Sequence, residues 1–150
     1  VAYETTEVAV SKSQEAIRKL IYTHRGTGVM LVSQPPREGF EAMVEMAGTA
    51  YHIRVMATSK DQKKANHGFR SAGTYEKARE QEERRVWRVL YWHLKAMFEA
   101  ADAGVIDIRD IIMPYVVLRD GRTLSDHIRP KMAELMITDP ERLLNSGAQA

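Results

Sequence analysis

Arg84, Arg85 and Arg88 fall within little more than one helical turn, with Trp87 and Trp92 close by and His93 and Lys95 further along the same run. Guanidinium forks match the geometry of phosphate oxygens, and indole rings offer planes on which bases stack. The competing role for these arginines is ion pairing with Glu80, Glu82 and Glu83 on the same stretch. A second basic set, Lys60, Lys63, Lys64 and Arg70, meets one acid, Asp61, and has Phe69 among it. It suits either an anion-binding loop or a plain solvated one. A third lies at Arg119 and Arg122, beside a helix start at Thr123 whose free backbone N–H groups suit a phosphate; a simple capped turn is the alternative there. The candidate ligand-binding residues are therefore Arg84, Arg85, Arg88, Trp92 and Lys95, with Lys63, Lys64, Phe69 and Arg70, and with Arg119 and Arg122.

Other chemistry finds less support. The chain has no cysteine, which excludes disulfides, thiolate metal sites and cysteine nucleophiles. His24, His52, His67, His93 and His127 lie far apart without helical pairing, and Asp102, Asp107 and Asp110 read as helix-end and capping carboxylates rather than cation ligands. Gly26-Thr-Gly28 lacks the downstream Lys and hydroxyl of a phosphate loop, and no nucleophile elbow or dinucleotide fingerprint is present. Catalysis is thus unsupported by any motif, and no metal or cofactor is implied. A net charge of +2 is too small to announce a nucleic-acid binder, so local clustering must carry that assignment. No apolar run approaches a membrane span and no basic-then-apolar leader is visible, so a cytoplasmic location is expected.

The elements that must position these residues centre on one helix. From Tyr75 to about Ala103 neither Gly nor Pro interrupts the chain, and Gly104 is placed to stop it. Val86, Leu90, Leu94, Met97 and Ala101 share one face, with Trp87, Tyr91 and Phe98 on another, which predicts burial on more than one side. Before it, Lys12 to His24 reads as a helix capped by Ser11. Gly28 to Gln34 and Phe40 to Ala47 read as strands separated by a Pro35–Gly39 turn. A two-residue loop at Gly48-Thr49 then predicts a hairpin in which Val44 faces Ile53, Ala42 faces Val55 and Phe40 faces Ala57. Met30, Met43, Met46 and Met56 in this sheet read as adaptable core packing.

After the central helix, Tyr115–Leu118 is expected as an extra strand, Arg119–Arg122 as a turn and Thr123 with Asp126 as a capped helix start. Pro130 divides the C-terminal helical segment in two, with Ile128, Met132, Leu135 and Met136 facing the core. The whole is one α+β domain over 1–150: an antiparallel sheet of three or more strands on a long central helix, with an N-terminal helix and short C-terminal helices. Residues 59–73 are expected to form a flexible basic loop and 145–150 a frayed tail.

Three stretches, Val10–Ile21, Glu82–Leu90 with Leu94–Ala96, and Pro114–Thr123, resemble parts of small uncharacterised bacteriophage-borne proteins. The resemblance implies a phage origin, and hence the host cytoplasm, without supplying an activity. By analogy with phage accessory genes of this size, two roles are expected. The first is non-catalytic binding of a phosphate-bearing ligand, foremost single-stranded nucleic acid. The alternatives are a counter-defence sponge, possible as a homo-oligomer, that sequesters a small cyclic nucleotide, and a protein-interaction module whose partner covers Trp87 or Trp92.

Overall fold

The structure is a computed structural model and describes residues 3–46, 48–60 and 72–136, together with Glu141 and Gly147. Helix α1 (Val10–Thr23) leads into strands β1 (Gly26–Gln34), β2 (Arg37–Met46) and β3 (Thr49–Thr58), which pair antiparallel in the order β1-β2-β3. The long helix α2 (Ala72–Asp102) comes next, and the chain then turns through α3 (Ile108–Ile112), a 3₁₀ turn at Met113–Tyr115, α4 (Leu124–Ile128), a second 3₁₀ turn at Arg129–Lys131 and α5 (Met132–Leu135). This is the expected α+β architecture.

One face of the sheet carries the core. Phe40, Ala42, Val44, Ile53 and Val55 point from it onto Val86, Trp87, Leu90, Leu94, Met97 and Phe98 of α2, with Ile17 and Ile21 of α1 and Ile112 of α3 closing the flank. The two long helices run parallel, since Thr6 lies beside Gln81, Ser13 beside Arg88 and His24 beside Asp102. Helix α2 ends as its sequence requires: Gly104 takes a φ of +69° and its N–H bonds back to Ala101.

Several local expectations need correction. Helix α1 starts earlier than a Ser11 cap implies; Ala9 is its N-cap, with Lys12 and Ser13 bonding to the Ala9 carbonyl and no side-chain cap. Strand β1 opens at Gly26 rather than Gly28, and a Cβ at Gly26 would collide with Ile21. Only Pro35 and Pro36 form the first hairpin loop, so Arg37, Glu38 and Gly39 already pair within the sheet. In the second hairpin Met46 pairs with Thr49, so Val44 faces Tyr51, Ala42 faces Ile53 and Phe40 faces Val55. Gly48 supplies its positive φ of +78° at the second loop position, not the first. Moving the loop back by one residue shifts each partner by two, which preserves the face of every side chain. Hence the predicted core set survives the wrong register.

The expected strand at Tyr115–Leu118 is instead the end of a 3₁₀ turn and isolated bridges, Val116 to Ile53 and Val117 to Thr123. Arg119–Arg122 forms the expected turn, and Pro130 does divide the last helical segment. However, Ile128, Met132, Leu135 and Met136 are exposed instead of facing the core: Leu124–Ile128 packs on the Met113–Tyr115 turn, and Met132–Leu135 packs on the adjacent Arg129–Lys131 turn. Met30 and Met43 are exposed as well, lying on the sheet face turned away from the helices.

Candidate functional site

Helix α2 displays Arg88, Tyr91, Trp92 and Lys95 at i, i+3, i+4 and i+7, a spacing that places all four on one stripe. The Arg88 guanidinium stands 4.5 Å from the Tyr91 ring centroid and 5.5 Å from that of Trp92, and the Lys95 ammonium lies 4.9 Å from the Trp92 ring. Tyr91 and Trp92 meet edge-to-face at 5.2 Å. Trp92 keeps 39% of its surface open, so an indole plane flanked by two cations faces outward. Neither cation is tied into a strong pair: Arg88 reaches Ser13 at 3.4 Å and Lys95 reaches Glu99 at 3.7 Å. The five cavities at the flanks of the fold are lined by other residues.

The other two arginines of the run are placed differently. Arg84 donates to the Gln81 side-chain oxygen at 2.6 and 3.2 Å, while the Gln81 amide reaches the carbonyls of Glu4 and Thr6 and straps the N-terminal segment across α2. Arg85 points round the helix to Glu82 and grips both of its carboxylate oxygens at 2.8 Å. Glu82 also accepts the Lys60 backbone N–H at 2.9 Å. Burial opposes the ionisation of Glu82, but these hydrogen bonds outweigh it and hold its pKa below the usual value. Arg85 therefore has the geometry of a structural counter-ion: it neighbours Arg88 on the helix, but its guanidinium is held by Glu82.

Trp87 is fully buried and offers no stacking plane. Its indole N–H faces the carboxyl of Glu38, a wholly buried residue of β2, without a well-formed hydrogen bond between them. Burial, then the negative charge of Glu83, pushes the Glu38 carboxyl above its ordinary pKa, against smaller lowering contributions from the Trp87 indole and the Ser33 side chain. On the opposite sheet face Glu41 accepts from Arg54 Nε and meets His52 Nε2 at 2.7 Å. Burial resists that charge too, yet the two partners lower the Glu41 pKa.

Lys63, Lys64, Phe69 and Arg70, and most of the expected 59–73 loop, lie outside the described residues, as does nearly all of the 145–150 tail. Lys60 is described and sits 3.8 Å from Glu4. Arg122 bonds the Asp120 side chain through its N–H and the Asp126 carbonyl through its guanidinium, and Thr123 with Asp126 completes a reciprocal capping box. The N–H groups expected to suit a phosphate near Arg119 and Arg122 are thus partly consumed by the cap. His93 turns away from Lys95 and contacts the Tyr115 hydroxyl at 2.8 Å, anchoring the C-terminal segment.

The structure accordingly brings Arg88, Trp92 and Lys95 together, leaves Arg84 nearby in a strap and Arg85 in its pair with Glu82, and sets Arg119 and Arg122 elsewhere. Tyr91 joins the group although its sequence position reads as a buried aromatic; the signal for it is the i+3 spacing from Arg88. Among the described residues no three His, Asp or Glu side chains gather to hold a metal ion, and no helix is long and apolar enough to cross a membrane. Comparison with family models, with curated proteins and with solved structures finds no match to the chain.

Proposed function

We propose that the protein is a non-catalytic binder of single-stranded nucleic acid, a role expected by analogy with phage accessory genes of this size. The observation that carries this proposal is the Arg88–Tyr91–Trp92–Lys95 stripe. An exposed indole between two weakly engaged cations combines a stacking plane with phosphate-directed charge, the two features that sequence-tolerant single-strand binding requires. A stripe that runs along the helix suits an extended ligand passing over it, whereas a compact nucleotide would call for an enclosing pocket.

Trp92 also provides the test, because Trp87 is buried and the chain has only 2 tryptophans. Single-stranded oligonucleotides of increasing length are expected to quench tryptophan emission with rising affinity, and Trp92→Phe is expected to weaken binding severalfold. Tight one-to-one capture of a mononucleotide or cyclic nucleotide, with no gain from chain length, would establish the sponge in its place.

A further inference from the structure

We infer that the C-terminal arm, α4 through α5, is a self-complementary surface that docks a second copy of this chain. Every residue from Ile128 to Met136 is exposed, although the segment is held in helical and 3₁₀ turns. Turns this short gain little stability from their own hydrogen bonds and ordinarily depend on packing. Here the apolar side chains project outward, with Met132 45%, Leu135 61% and Met136 59% exposed. Beside them lies an open groove of about 410 Å³ lined by Met113, Pro114, Leu124, Ile128 and Met132. The same arm thus carries both projecting apolar groups and a recess to receive them, as a two-fold interface needs.

Charge selects the occupant. The groove is lined by one acid, Asp110, and one base, Arg129. Asp110 makes no side-chain hydrogen bond or ion pair among the described residues, and Arg129 is 72% exposed with only a 3.6 Å contact to Asp126 and a 3.2 Å bond to Ser125. A uniformly acidic or basic partner would be opposed by one of the two. A second copy presents the same pair, and two-fold symmetry can set Asp110 of each chain against Arg129 of the other. The unbranched side chains of Met113, Met132 and Met136 can adapt to fill the remaining space. This inference is independent of the α2 stripe, which stands on another part of the surface.

The test is sedimentation of the full chain over a wide concentration range, with Asp110→Arg, Arg129→Asp, the two combined, and Leu135→Glu. The wild-type chain is expected to sediment as a dimer. Each single charge reversal should raise the dissociation constant roughly a hundredfold, and the combined reversal should recover the dimer. Leu135→Glu should give a monomer with an unchanged circular-dichroism spectrum, since that side chain is 61% exposed and outside the core. A wild-type monomer at all concentrations, whether the arm is covered by residues 137–150, by a different protein or by nothing, would overturn the inference. So would a dimer indifferent to Leu135→Glu, or a combined reversal that fails to recover association.

Discussion

Arg85 and Glu82 form a two-pronged ion pair, 2.8 Å at each prong, and Glu82 is buried beneath it while holding the Lys60 backbone. The nearby residues Arg84 and Arg88 look equivalent to Arg85 in the sequence, but Arg84 is held by Gln81 and Arg88 lies over the Tyr91 and Trp92 rings. Substitution should therefore separate structure from binding. Arg85→Gln strands a buried carboxylate and should lower stability by about 3 kcal/mol while leaving oligonucleotide affinity of the folded protein unchanged. Arg88→Gln should do the reverse. Denaturant unfolding and binding measured on both variants check this, and an Arg85→Gln protein of full stability and lost affinity would reverse the assignment.

Glu38 predicts an unusual pH response. Its folded pKa is raised above the ordinary 4.5, so its contribution to stability is fully present below that pH and is lost as pH rises through the folded value. Glu38→Gln keeps a neutral group of the same shape. It should match the wild type in acid and exceed it once pH has risen through the folded value. Thermal unfolding across the range decides the matter: a variant equally destabilised at every pH would show that ionisation of this carboxyl is not what costs the fold.

Glu41 has the opposite sign. Its folded pKa is lowered, so its stabilisation is present above the ordinary 4.5 and is lost as pH falls through the folded value. Glu41→Gln should cost about 1 to 2 kcal/mol at neutral pH through its weakened bonds to Arg54 and His52. The cost should fade in acid, and a pH-independent loss in the same unfolding series would contradict this.

The core offers a blunter check. Val44 and Ile53 are each 1% exposed, on neighbouring strands against α2. An aspartate at either place buries an unpaired charge at a cost of several kcal/mol, comparable with the whole stability of a small domain. Cooperative unfolding unaltered in both variants would show that these side chains do not share the core.

Much of the fold is legible in the sequence because the strong signals are periodic. An uninterrupted helical repeat locates α2, and alternation along β2 and β3 identifies the buried faces even though a loop read at Gly48-Thr49 falls one residue late. Register depends on which loop position takes positive φ, and composition leaves two choices when a single Gly stands between alternating strands. The arginine run is legible as a cluster, but its division is not. Arg85 and Arg88 are three residues apart, and only the position of Glu82 beside the Lys60 backbone determines which of them is committed to an ion pair. The apolar arm misleads for a related reason: Ile128, Met132, Leu135 and Met136 have core spacing, yet periodicity does not say whether the covering surface belongs to the same chain.

The salt dependence of single-stranded oligonucleotide affinity, measured for the wild type and for the Arg88→Gln, Lys95→Gln double variant, tests the central claim most directly. Each phosphate neutralised on a single strand contributes about −0.7 to the slope of log affinity against log salt. Loss of two contacting cations should therefore flatten the slope by about 1.4 and weaken all sequences to a similar degree. An identical slope in the two proteins, or no binding by the wild type at low salt, would contradict a nucleic-acid path over the Arg88–Trp92–Lys95 face of α2.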